Sequence, residues 1–337
     1  MASASGAPGP TAWLFPGQGA QHVGMGRDLY DAFPEARAVY ERADAALDRP
    51  LSSIIFDGPE DELLQTINAQ PAILITSLAC LAAAQAAGIL PRASRADGAP
   101  ALEPPSYVAG HSLGEYTALV ASGALDADAG VRLVQKRGRL MQQAGEAAPG
   151  TLAAILGLPE EDVTSVCREA GAEICNVNAA TQIVVGGTRA AVARAMDLAA
   201  ARGARRAIPL KVSGAFHSSL MQPAADRMLA EMNRVSFQKP ATPIVANVTG
   251  RVIECTLPGA AETAGAINAA LRTELAQQLQ STVRWEQSVL FMLEEGVRTF
   301  VEIGPGRVLT GLVKTIGRRQ RPTLLTLNGA EAIQALR

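Results

Sequence analysis

The chain has 337 residues, of which 48% are apolar and 18% charged, with a net charge of −2. That length and composition suit one large domain or two smaller ones with a sizeable core, and the near-neutral charge argues against a nucleic-acid partner. The four cysteines, Cys80, Cys167, Cys175 and Cys255, make no C-x-x-C pair and have no metal-ligand spacing. They read as reduced thiols of a cytoplasmic protein, with no metal expected.

The first ten residues lack a basic start and a long apolar stretch, and read as a disordered tail rather than a signal peptide. Residues 12–15 are a short apolar strand, followed by the glycine-rich Pro16-Gly-Gln-Gly-Ala-Gln-His-Val-Gly-Met-Gly26. A dinucleotide fingerprint needs glycine where His22 stands, so the loop supplies either plain turns or backbone N–H groups that face a site. A helix is expected over 28–47, broken or restarted at Pro34, and a short one over 60–66. Residues 71–90 carry no charge and have the length of a membrane span. Alanine dominates them and Thr76, Ser77 and Gln85 interrupt them, so a buried core helix starting near Pro71 is expected instead. Residues 91–105 form a proline-rich exposed loop.

Gly110-x-Ser112-x-Gly114 then matches a nucleophile elbow, in which a strand (106–109) turns sharply into a helix (113–121) and exposes a serine on the turn. Residues 129–145 have the spacing of an amphipathic helix. From 150 to 212 the order is strand, helix, two hairpin-like strands, helix, strand, the β-α-β-β-α-β signature of a ferredoxin-like unit. Gly186-Gly187-Thr188 in it is read as a strand-to-helix turn rather than a phosphate site. Helices are expected over 218–233, 273–280, 285–295 and 308–316, and strands over 242–247 and 299–303. Strands alternate with helices in both outer portions, which predicts a mostly parallel sheet.

A serine nucleophile needs a base, usually histidine, and the chain has three. His111 adjoins Ser112, and neighbours at a strand end point to opposite faces, so local packing is expected for it. His22 lies in the glycine-rich loop. His217 follows a strand and begins a helix, at the sheet edge where α/β sites lie, and is the favoured base. Arg137 is at this point one of several arginines on an amphipathic helix.

Six motifs taken together make the sequence recognisable: Phe15-Pro-Gly-Gln-Gly-Ala-Gln21, Gly110-His-Ser-Leu-Gly-Glu-Tyr116, Gln135-Lys-Arg-Gly-Arg-Leu-Met-Gln142, Asn176-Val-Asn178 with Gln182-Ile-Val-Val-Gly-Gly187, Gly214-Ala-Phe-His217 and Val301-Glu-Ile-Gly-Pro-Gly306. From about residue 12 to 314 the chain resembles the malonyl-CoA:acyl carrier protein transacylase family, which includes the acyltransferase domains of fatty-acid and polyketide synthases. The resemblance implies a large α/β-hydrolase-like domain from residues 11–148 and 210–337, with a small ferredoxin-like subdomain, 149–209, inserted in it. It implies Ser112 as nucleophile, His217 as base, the backbone N–H groups of Gln18 and Leu113 as oxyanion hole, and Arg137 as the binder of the malonyl carboxylate. The Gln278 backbone carbonyl would orient His217. Phe216 and Met141 would line the acyl pocket, Phe216 excluding a branched extender unit.

Two departures stand out: Ala179-Ala180-Thr181 follows Asn178 without the family's usual proline, and the 91–105 loop looks longer than usual. The partners implied are malonyl-CoA and an acidic acyl carrier protein, with no bound cofactor, no membrane and a monomeric state. Arg202, Arg205, Arg206, Lys211, Arg318, Arg319 and Arg321 are candidates for a basic docking patch. A serine esterase or thioesterase shares the elbow but has no need of Arg137. A non-catalytic carrier-binding module would have lost Ser112, His217 or Arg137, and all three are present.

Overall fold

The computed structural model describes residues 9–91, 102–257 and 263–337. Most of the expected tail and most of the 91–105 loop therefore lie outside the described residues. In chain order β1 (Thr11–Phe15) leads to α1 (Arg27–Ala32), α2 (Pro34–Leu47), α3 (Leu51–Asp57), α4 (Glu60–Leu64) and α5 (Thr66–Ala86). Then come β2 (Pro105–Gly110), α6 (Leu113–Ala121) and α7 (Ala127–Ala147). Next are β3 (Gly150–Leu156), α8 (Glu160–Ala170), β4 (Glu173–Ala179), β5 (Gln182–Thr188), α9 (Arg189–Ala201) and β6 (Arg206–Pro209). The chain continues through α10 (Gln222–Met232), β7 (Ile244–Val245), α11 (Ala264–Gln278), α12 (Trp285–Glu294), β8 (Thr299–Ile303), α13 (Val308–Ile316), β9 (Thr323–Leu327) and α14 (Ala330–Gln334).

The class is α/β with a parallel sheet, as expected. Five strands run in the order β7-β2-β1-β8-β9, and each neighbouring pair is parallel. Because successive strands step outward in both directions from β1, the order reverses there. A crevice opens at the carboxyl ends of the strands where that happens. Phe15 at the end of β1 lies level with Gly110 at the end of β2, so the loop leaving β1 and the elbow leaving β2 emerge side by side. A second sheet, antiparallel in the order β4-β5-β3-β6, buries Ile155, Ile183 and Val185 against Val163 and Val192 of α8 and α9. Backbone bonds between Val177 and Val283, and between Val283 and Cys175, tie β4 to the segment before α12.

α5 is a core helix: 89% of its apolar window is buried within the fold. It begins at Thr66 rather than near Pro71, which lies inside it. Proline costs a helix one backbone bond, and here burial on all sides outweighs that loss. α11 begins nine residues before the expected 273, capped by Thr263, whose side chain accepts from the Ala266 N–H. Its alanine-rich, weakly patterned start hides the helix from a periodicity search. β7 is only two residues long, and residues 242–243 and 246–247 are outside it. α3, β9 and α14 were not anticipated. Each is short, with proline or glycine at its N-terminal border or within two residues of it, which masks periodicity. All four cysteines are buried.

Candidate active site

The elbow is built by close approach. A Cβ on Gly110 would lie 1.9 Å from the Gly114 carbonyl carbon, and one on Gly114 would lie 2.0 Å from the Phe15 carbonyl oxygen. Only glycine at both positions lets β2, α6 and β1 meet this tightly. Between them Ser112 takes φ 51°, ψ −104°, a conformation that an L-residue adopts at a cost. Asn247, fully buried just beyond β7, clamps the turn. Its Oδ1 accepts the Ser112 N–H at 2.6 Å, and its Nδ2 donates to the Gly110 carbonyl at 2.7 Å.

His217 also sits at positive φ, 62°, its N–H held by the Leu279 carbonyl. Its Nδ1 lies 2.7 Å from the Gln278 backbone carbonyl. A carbonyl only accepts, so Nδ1 carries the proton and Nε2 offers a lone pair. Nε2 is 2.7 Å from the Ser112 hydroxyl oxygen, the geometry of a base about to take that proton. Burial, reinforced by the Arg137 cation, pushes the imidazole down to about 3, against the pull of the Gln278 carbonyl. The ring is thus neutral, and able to accept, at any ordinary pH. His111 turns elsewhere: its Nε2 pairs with Asn178 Oδ1 at 2.8 Å and its ring packs 5.5 Å from Trp285. His22 is exposed on the loop after β1.

Arg137 is fully buried. Its Nη1 donates to Gln70 Oε1 at 2.7 Å, and its Nη2 to Gln278 Oε1 at 2.9 Å and to the Ser112 hydroxyl at 3.1 Å. The guanidinium lies over the Tyr116 ring, 5.4 Å from its centroid. Its Nε has no hydrogen-bond partner among the described residues. Every direct partner among the described residues is neutral, and none of their carboxylates is in contact with the cation. Burial lowers its proton affinity, with Tyr116 and Glu115 acting against this.

The structure thus brings Ser112, His217, Arg137 and Gln278 into one cluster. Gln18 lies on the loop beside the elbow, its amide reaching Thr66 Oγ1 at 3.4 Å. No hydrogen bond among the described residues uses the backbone N–H of Gln18 or of Leu113. Leu113 opens α6, where the helix dipole favours negative charge. Met141 is reached through Gln70, whose Nε2 is 3.2 Å from its sulfur. Phe216 is buried next to His217. A cleft lined by Gln18, His111, Asn178, Gln182, Val308 and Leu312 opens beside the elbow. Sequence reasoning missed Gln70, Asn247 and Glu115. Glu115 stood within a quoted motif and Gln70 was a polar residue next to a buried apolar run, whereas Asn247 had no local signal.

A model of the acyl transferase domain matches residues 12–327. The chain belongs to the acyl transferase family. The malonyl CoA-acyl carrier protein transacylase of Bacillus subtilis is 43% identical over 313 residues, 91% of this chain and 90% of that one. The enzyme of the same name from Escherichia coli K12 is 40% identical over 90% of this chain and 92% of its own. An acyl carrier protein S-malonyltransferase from Vibrio cholerae superposes with a TM-score of 0.84 at 36% identity, covering 97% of this chain and 99% of its own. A malonyl-transacylase solved in complex with a type II PKS acyl-carrier protein superposes with a TM-score of 0.86 at 37% identity, covering 97% of this chain and 98% of that one. In this acyl transferase the half-buried Ser112, the buried His217 and the arginine beside them therefore sit in a fold shared with enzymes of malonyl transfer.

Proposed function

We propose that this acyl transferase moves the malonyl group of malonyl-CoA to the phosphopantetheine thiol of an acyl carrier protein, through a malonyl-serine intermediate. The observation that carries the reading is Arg137, a buried cation 3.1 Å from the nucleophile with no acidic partner in contact among the described residues. A buried, uncompensated guanidinium is costly, and a substrate carboxylate would relieve it with charge-assisted, bidentate hydrogen bonds.

In this mechanism His217 Nε2 takes the Ser112 proton as the serine oxygen attacks the thioester carbonyl. The backbone N–H groups of Leu113 and Gln18 receive the developing oxyanion. The tetrahedral intermediate collapses, the proton passes to the coenzyme A sulfur, and free coenzyme A leaves. The carrier thiol then gives its proton to His217 and attacks the ester, and the malonyl group leaves on sulfur while Ser112 is reprotonated. Gln278 keeps the imidazole in the tautomer this requires. Phe216 and Met141 bound the acyl pocket, and a branch methyl there would cost about 1–3 kcal/mol.

The antiparallel order of the small sheet supports reading residues 149–209 as an inserted ferredoxin-like subdomain, with 11–148 and 210–337 as the catalytic body. The enzyme is read as a cytoplasmic monomer that serves fatty-acid or polyketide synthesis. Intact-protein mass after brief mixing with malonyl-CoA, methylmalonyl-CoA and acetyl-CoA tests the proposal. A malonyl-sized adduct from the first substrate, and little from the others, is expected. Coenzyme A release with no adduct would replace it with a hydrolase, and neither adduct nor release would leave a carrier-binding module.

A further inference from the structure

Glu115, in the first turn of α6, is a buried acid with 1% exposure and no part in the steps above. Its Oε2 accepts from Gln278 Nε2 at 2.6 Å, and its Oε1 has no partner among the described residues. We propose that Glu115 is a positioning residue for carboxylate selection, fixing the Gln278 amide so that its oxygen, and not its NH2 group, faces Arg137. The inference rests on the malonyl-transfer reading.

Gln278 holds both halves of the site. Its backbone carbonyl takes the His217 Nδ1 proton, and its Oε1 takes an Arg137 proton. Its two Nε2 protons go to the Ser112 carbonyl at 2.8 Å and to Glu115. Arginine can only donate, so a flipped amide would place donor against donor and push the guanidinium out of register with Ser112. The Ser112 carbonyl secures one of the amide protons and Glu115 the other, and with both acceptors in place the flipped state has nothing to offer. Burial and the neighbouring Glu274 carboxyl hold the Glu115 carboxyl well above its usual range. The orienting role needs only a lone pair, which the acid keeps in either protonation state. The acceptor, not the charge, is therefore what position 115 must supply.

The test compares Glu115→Gln, Glu115→Asp and Glu115→Leu in the full chain, reading kcat/KM for malonyl-CoA and for acetyl-CoA with carrier protein as acceptor. Glu115→Gln keeps an acceptor of the same reach and should hold the malonyl-to-acetyl ratio within about threefold of the parent. Glu115→Leu should lose about tenfold or more of that ratio, through weaker malonyl selection and not slower acetyl transfer. Should Glu115→Leu fail to fold, Glu115→Asp, which withdraws the acceptor by one methylene, should lose part of it. Equal losses on both substrates, an unchanged ratio in the leucine and aspartate variants, or a lost ratio in Glu115→Gln would overturn the proposal. A parent enzyme with no malonyl preference would instead overturn the functional reading itself.

Discussion

The two sheets of this molecule do different things with similar material. In the parallel sheet every strand must leave by a crossover, so each carboxyl end opens into a loop or a helix start. Ser112, the Gln18 turn and Asn247 all come from such ends, after β2, β1 and β7 respectively. In the antiparallel sheet the strands β4 and β5 return on themselves through Ala180 and Thr181, and the segment carrying His217 follows only after the sheet's last strand, β6. The sheet itself contributes walls, namely Asn178 against His111 and Gln182 at the cleft. Chemistry gathers where topology forces the chain into the open, and support comes from where it does not.

Substitutions can break that division, beginning with the largest effect. Ser112→Ala should abolish the malonyl adduct seen by intact-protein mass; an adduct that persisted would move the nucleophile elsewhere. Arg137→Ala should cut kcat/KM for malonyl-CoA about a hundredfold or more, since it removes two charge-assisted hydrogen bonds, while acetyl-CoA suffers far less. Asn247→Ala unclamps the elbow and leaves the Ser112 N–H and the Gly110 carbonyl unpaired. A loss of about 1–3 kcal/mol should appear both in unfolding and in the acylation rate. Ile155→Ala in the small sheet should lower stability by about 2–5 kcal/mol, read as a fall in Tm, with the acylation rate of the folded fraction unchanged. A slowed acylation in that variant would mean that the small sheet does more than support.

A pH series sharpens the same contrast. His217 has a folded value near 3 against about 6.5 in an unfolded chain. Between those values the unfolded state binds a proton that the folded state refuses. Through this group, stability is full above about pH 6.5 and declines as pH falls toward 3. Acylation by the folded enzyme, measured by rapid quench, should stay flat from about pH 8 to pH 5 as far as this histidine is concerned. A fall centred near 6.5 would show a solvent-exposed imidazole instead.

The α/β class, the elbow and the β-α-β-β-α-β run were legible because each carries a local signal: periodicity, paired glycines, or a fixed alternation of elements. The spans 113–121, 150–156 and 308–316 coincide with α6, β3 and α13. The roles expected for Arg137 and Gln278 came from resemblance alone, because an arginine on an amphipathic helix reads the same whether it faces water or a pocket. Asn247 was invisible for a different reason. Its work is done across 135 residues of chain, from beside a two-residue strand, and nothing in its immediate sequence announces that reach. The start of α11 was lost for want of a hydrophobic stripe, and α5 was misplaced because proline was given more weight than burial.

Ser112 and His217 both hold backbone angles in which glycine would rest more easily, at about 1–3 kcal/mol each. Under the proposed mechanism, heat resistance and turnover are therefore in competition at these two positions. Glycine in place of Ser112 should yield an inert protein that melts later than the parent. A directed-evolution campaign that screened for survival at high temperature alone would be drawn toward such sequences, and would need an activity screen at every round to keep the nucleophile in place.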